Sequence, residues 1–423
     1  MLKLPLARRE VKRYSNTVEK RSRMASLAER EFKGRQRILS LAAVISTSFG
    51  VGISFGIGFP LTALTFEDWH QPKWMIGLAG AAPAIAVFIA LPLLSKLITR
   101  VGPVVAIGSG CVIGSIGFLA LSAFPSPWAW IVIRLLMSAG FAMPWLAGET
   151  WINAVARDDL RGRVIAIYAV AFFSGYAVGP LLLQALGISG FTPFLAAAAI
   201  TALSGLPIIL GRHLAPTFAY DGKRSFSSAF FLAPAAMIAA FIAGFAEITT
   251  LSLTPNVALA AGWSNDSALA FLTVMTVGGI LLQMPLGWLS DKMSRLNLLV
   301  WSGLGFIALA LALPWALTSA VSAFAVMFLI GGMILGFYAL GLAIVGERIS
   351  AADLPAANGA FIVMYQAGAL VGPILSGIAM TERPISGFVA TTVVLMLLSG
   401  AVLIAFELWD RKRRAEMGAQ NRG

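Results

Sequence analysis

The stretch from Gly148 to Pro180, GETWINAVARDDLRGRVIAIYAVAFFSGYAVGP, decides how the rest of the chain is read. It closes one apolar segment at Glu149, turns through Arg157, Arg161 and Arg163, and opens a second that carries Gly175, Gly179 and Pro180. A similar design returns from Gly346 to Pro373 as GERISAADLPAANGAFIVMYQAGALVGP, with Gly368, Gly372 and Pro373 in the same order. The two G-x-x-x-G-P units start 193 residues apart (368 − 175), close to half of the 423-residue chain. The chain is built twice.

Composition names the solvent of both copies. Hydrophobic residues make up 58% and charged residues 12%, against about 45–50% and about 25% in a soluble domain. A water-soluble core needs no such apolar excess, so most of the chain faces lipid. About 20 apolar residues cross a bilayer as a helix. Twelve such segments fill the chain, at 38–64, 75–95, 103–124, 128–155, 163–187, 192–211, 228–254, 267–289, 296–318, 320–346, 360–380 and 384–408. The fold class expected is an all-α integral membrane protein with two pseudo-symmetric six-helix bundles, at 38–211 and 228–408, joined by a 212–227 link.

The net charge of +12 is topological rather than a nucleic-acid footprint. With residue 1 in the cytoplasm, 28 of the 31 Lys and Arg fall in cytoplasmic tails and loops, two (Lys73 and Arg383) fall outside, and Arg134 lies within a span. That asymmetry is the positive-inside pattern, and it places both termini in the cytoplasm of a bacterial inner membrane. The 1–37 tail carries Met24, Leu27, Ala28 and Phe32 at helical spacing, a pattern that suits a surface helix or a topology-setting tail. The 409–423 tail is also basic. No cleaved leader is expected, because the first apolar run is long enough to remain in the membrane. The single cysteine, Cys111, falls inside a span and forms no intramolecular disulfide.

Chemistry-bearing motifs are sparse. No phosphate loop, nucleophile triad or metal-ligand spacing is present, so neither an enzyme nor an ATP-driven pump is expected, and no cofactor or metal. Polar groups inside spans therefore draw attention. Arg134 lies about 9 Å into the fourth span at 1.5 Å per residue, where an Arg normally faces the bundle interior or water. Glu247 sits in GFAEITTLSLTP, in the outer half of the seventh span as read from residue 228. An unpaired carboxylate there is costly. It serves either as a group that gains and loses a proton as access alternates, or as a buried hydrogen-bond partner of Thr249, Thr250 or another helix. Gln283, Tyr338, Tyr365 and Gln366, with Trp145, Asn153 and Tyr176, are candidates to line a cavity, and each is equally a packing residue. With Pro255 taken as the counterpart of Pro60, Glu247 matches Gly52 in the other copy.

The repeat, the twelve spans and several motifs together resemble the major facilitator superfamily over residues 38–408. PLGWLSDKMSR matches the family's G-x-x-x-D-[RK]-x-x-[RK] loop at Gly287, Asp291, Lys292 and Arg295; the first copy keeps Lys96 and Arg100 but lacks the acid. Arg134 followed by Gly140 is similar to the fourth-helix R-x-x-x-x-x-G pattern, and Glu149 with Arg161 to the E…RG element. The second copy keeps Glu347 and Arg348 but has Asn358 and Gly359 where an R-G pair stands in the family. The G-x-x-x-G-P units resemble the fifth-helix motif of the antiporter branch, with Leu182 and Leu183 replacing its trailing glycines. GETW with RGR and QMPLGWLSDK look like the bacterial permease branch typified by YcaD.

The resemblance implies two halves rocking about a central site. Arg100, Glu149, Arg161, Arg163, Asp291, Lys292, Arg295, Glu347 and Arg348 would form a cytoplasmic gate network, and the Gly and Pro units a packing and bending device. The expected activity is proton-coupled export of a small organic or amphiphilic solute by a monomer. A proton symporter or uniporter for uptake is the alternative in the same class. A lipid flippase or a non-transporting sensor is the alternative from another.

Overall fold

Prolines and glycines set the helix ends, because within lipid an apolar segment must satisfy its own backbone hydrogen bonds. Pro103, Pro127, Pro234 and Pro384 open helices at a position where a missing N–H costs nothing. Gly102 (φ 81°) and Gly187 (φ 77°) end others in backbone that a side chain would strain. A computed structural model describes residues 34–157, 159–216, 233–349 and 354–420; most of the basic N-terminal tail and of the central link lies outside the described residues.

The first half contains α1 (Arg35–Asp68), α2 (Lys73–Val101), α3 (Pro103–Ala123), α4 (Pro127–Val155), α5 (Arg161–Leu186) and α6 (Thr192–Ser204), the last extended by a short helix Leu206–Leu210. The second contains α7 (Pro234–Ala260), α8 (Asn265–Lys292), α9 (Arg295–Ala316), α10 (Ala320–Arg348), α11 (Leu354–Ala379) and α12 (Pro384–Gln420). Among the described residues there is no strand, and twelve spans are long and apolar enough to cross a membrane. The seventh begins at Pro234 rather than at 228, so Glu247 stands thirteen residues from either end of α7, at its midpoint and not in its outer half.

Helix neighbours repeat between the halves. The α1·α5, α2·α4, α3·α4 and α3·α6 contacts have counterparts in α7·α11, α8·α10, α9·α10 and α9·α12. Glycine contacts give the register of this repeat. A Cβ on Gly52 would meet the Phe172 carbonyl, and one on Gly244 the Tyr365 carbonyl; Gly175 likewise abuts Phe49, and Gly368 abuts Phe241. These four crossings relate α1 to α7 by 192 residues (244 − 52) and α5 to α11 by 193 (368 − 175). Glu247 therefore corresponds to Phe55 and not to Gly52. Pro60 and Pro255 mislead as anchors because a kink is tolerated at many positions, whereas a backbone crossing tolerates only glycine.

The halves meet along α2·α11, α5·α8 and α1·α7. At the end opposite the termini these seams are closed. Gly77 abuts Pro373, Gly377 abuts Lys73 and Gly80 abuts Ser252. Gln184 donates to the Asp266 carbonyl (2.6 Å), and Thr273 to that of Ala177 (3.1 Å). Toward the termini the seam parts. Ile165, Ala166 and Ile167 in α5 and Gln283, Met284 and Pro285 in α8 are each three consecutive exposed residues. Three in a row cover more than half a helix circumference, so these turns stand free of the facing helix.

Candidate functional site at the seam of the two halves

Glu247 lies where the closed part of the seam gives way to the open part. Its Oε2 accepts a hydrogen bond from the Tyr365 hydroxyl (2.9 Å), which joins α7 to α11. The Gly244 crossing presses α7 onto the Tyr365 backbone and so fixes this pair. Thr250 bonds back to the Ala246 carbonyl instead. Tyr338 of α10 packs edge-on against Tyr365, with ring centroids 5.7 Å apart. Glu247 lines a narrow cavity with Phe173 and Tyr176 of α5, Leu251 of α7, Met275 and Thr276 of α8, and Gly331, Ile334 and Leu335 of α10. Both halves contribute walls.

A second cavity lies within the first half and holds Arg134, Phe55, Phe59, Ser54, Ser138 and Phe141 among its walls. The Arg134 guanidinium is buried. It donates to the carbonyls of Ala79 (2.9 Å) and Gly58 (3.0 Å) and to the Thr62 hydroxyl (2.7 Å), and it lies 5.3 Å from the Phe59 ring centre. Its hydrogen bonds tie α4 to α1 and α2. The Phe55 ring packs on Phe172 with centroids 5.8 Å apart, at the place that Glu247 and Tyr365 occupy in the other half.

The residues expected at the gate lie at the open end. Arg295 reaches Glu347 (3.4 Å) and the Ala343 carbonyl (2.7 Å), and Arg348 pairs with Glu407 (2.7 Å). Each of these pairs joins helices of the second half. Glu149 accepts from Trp145 Nε1 (2.8 Å), one turn back on the same helix. Lys292 lies over the Trp288 ring (3.7 Å), and Arg100, Arg163 and Asp291 are exposed. Gln283 is exposed in α8 and Gln366 is buried in α11. The glycines of both G-x-x-x-G-P units are seated against a neighbouring backbone: Gly179 meets Gly56, and Gly372 meets Phe245.

Sequence reasoning missed the polar cluster that closes the opposite end. Lys73, at the start of α2, donates to both Glu67 carboxylate oxygens. Fully buried Asn256 of α7 donates to Glu67 Oε2 (2.6 Å) and weakly to the Ala63 carbonyl (3.4 Å). An Asn inside an apolar span and an acid six residues before a lysine were the available signals.

The residues described hold no group of three or more metal-ligating side chains. A family model described as Major Facilitator Superfamily matches residues 40–234 and 236–423. The chain is 28% identical over 341 residues to the uncharacterized MFS-type transporter YfkF of Bacillus subtilis, covering 77% of this chain and 85% of that one. It is 24% identical to YcaD of Escherichia coli, likewise named an uncharacterized MFS-type transporter, covering 76% and 83%. Among solved structures, the D323A mutant of the nucleoside transporter NupG superposes with a TM-score of 0.73 at 16% identity, over 88% of this chain and 99% of that one. A D-xylose–proton symporter superposes with 0.65 at 15% identity, over 86% and 96%. At that identity these structures speak for the fold, which agrees with the repeat, the seam and the family match: the chain belongs to the major facilitator superfamily of integral membrane transporters.

Proposed function

We propose that the chain is a secondary active transporter that moves a small organic or amphiphilic solute across the cytoplasmic membrane by alternating access, coupled to protons and in the direction of export. One observation carries the reading. Glu247, the acid at the midpoint of α7, lies in a cavity whose walls come from both halves, held by Tyr365 and lined mostly by apolar side chains, with Tyr176 and Thr276 among them. A carboxyl group so placed changes its exposure whenever the halves rock, because its walls belong to bodies that move relative to each other. Such a group carries a proton across by turns.

The distribution of Lys and Arg supports cytoplasmic termini, so the open end of this structure faces inward. The largely apolar lining supports a hydrophobic solute. Export draws its support from the resemblance of the α5 glycine–proline unit to the antiporter motif. In proteoliposomes, Glu247→Gln is expected to abolish transport driven by a pH gradient while the protein remains folded. Gradient-driven transport at the wild-type rate in this variant would sink the coupling role.

A further inference from the structure

We propose that the closed end of the seam carries its own counterweight: a row of buried hydroxyls on α7 and α11 that lack partners while that end is shut and gain water when it parts. The proposal rests on the alternating-access reading above and adds what sets the balance between the two states. Thr249, Ser252 and Ser376 are each no more than 2% exposed, and none of their hydroxyls has a hydrogen-bond partner. The Oδ1 of fully buried Asn256 is in the same condition, although its Nδ2 donates to Glu67. Neighbouring Thr250 bonds back to the Ala246 carbonyl, and Thr276 of α8 to that of Leu272, the usual remedy for a hydroxyl inside a helix. Thr249, Ser252 and Asn256, spaced i, i+3 and i+7, share one face of α7.

That face meets glycine. A Cβ on Gly80 of α2 would strike Ser252 Oγ, and one on Gly372 of α11 would strike Thr249 Oγ1. Glycine brings no side-chain donor or acceptor, and the backbone groups inside a helix are spent within it. At about 100° per residue, Ser376 falls between Gly372, which faces Thr249, and Pro373, which Gly77 and Gly80 of α2 abut. A helix of the first half thus covers hydroxyls borne by the second. The opposite seam differs, because there Gln184 and Thr273 each donate to a carbonyl across it. The repeat offsets of 192 and 193 residues place Ile57, Pro60, Leu64 and Leu183 at the matching positions of the first half, all buried and apolar. Packing alone therefore calls for no polar group here. A buried hydroxyl without a partner has given up its bonds to water and received none in return. Parting of this end lifts α2 away and restores them. The row favours parting, and the Glu67–Lys73–Asn256 cluster opposes it.

The test removes the hydroxyls with little change of shape, as Thr249→Val, Ser252→Ala and Ser376→Ala. Spin labels at Asp68→Cys and Glu382→Cys, exposed residues that flank this end on α1 and just beyond α11, report its parted and shut populations in the full-length chain in nanodiscs, with Cys111→Ser. The distances are read in a Glu67→Gln background, where the weakened cluster populates both states. Each hydroxyl deletion is expected to lower the parted-to-shut ratio about fivefold. With Glu67 intact, each is also expected to raise the melting midpoint. Thr250→Val, which removes a hydroxyl that has a partner, lowers the midpoint. The proposal is overturned if the three deletions leave the ratio unchanged or raise it, or if they lower the midpoint as Thr250→Val does. No solute or gradient enters the measurement. A lowered ratio in a chain that moves no solute would refute the transport reading alone, and solute movement with an unchanged ratio would refute only the counterweight.

Discussion

Phe55 and Phe172 in the first half stand where Glu247 and Tyr365 stand in the second. The frame around the two pairs is the same, because Gly52 and Gly244 cross equivalent carbonyls and Gly175 and Gly368 cross equivalent turns. The contents differ: two rings 5.8 Å apart in one case, a carboxylate and a phenol 2.9 Å apart in the other. One packing device is present twice, and the second copy alone carries an acid where the first carries a ring. On the proposed function, repeated residues build the machine, and departures from the repeat are where specificity for its cargo is expected.

The comparison yields predictions of decreasing size. Its constant part is broken most severely by adding bulk at the crossings. Gly175→Val and Gly368→Val should each destabilise by about 3 kcal/mol, and by similar amounts, since each drives a side chain into a helix backbone. Thermal unfolding in detergent checks this, and a large difference between the two variants would break the claimed equivalence. The variable part is sharpened by exchanging its contents. Tyr365→Phe removes a hydrogen bond to a charged group and should slow pH-driven transport about tenfold, whereas Phe172→Tyr should stay within about twofold because no acid awaits it.

Smaller effects are expected at the two ends of the seam. Glu67→Gln weakens the cluster with Lys73 and Asn256, and should raise labelling of a Gln184→Cys probe at the closed end about fivefold, near 1 kcal/mol of conformational bias. Arg295→Ala should destabilise by about 1 kcal/mol, since it loses a hydrogen bond to the Ala343 carbonyl and a half-exposed pair with Glu347, both within one half.

Much of this was legible in the sequence, and for identifiable reasons. Lipid forces every span to be a long apolar helix, so the twelve spans and the repeat could be read from hydropathy and from two G-x-x-x-G-P units. Glu247 and Tyr365 were both candidates, as single polar groups in apolar surroundings. Their hydrogen bond was not legible, because α7 and α11 are 118 residues apart at that point. The match of Glu247 with Phe55 needed the backbone crossings. The Glu67–Lys73–Asn256 cluster was missed because its members come from three helices. The gate residues carry family motifs, yet motifs do not reveal which end of the seam is closed.

The central claim is that the seam opens at one end as it closes at the other, under the control of Glu247. Pairs of spin labels test it directly, in a Cys111→Ser background that removes the one native cysteine. One pair, Arg163→Cys with Asp291→Cys, spans the open end, and the other, Gln184→Cys with Asp266→Cys, spans the closed end. The account predicts that shifting the pH between acidic and alkaline values lengthens one distance while shortening the other, and that Glu247→Gln makes both insensitive to pH. Distances that move together, or a Glu247→Gln variant that responds to pH as wild type does, would contradict it.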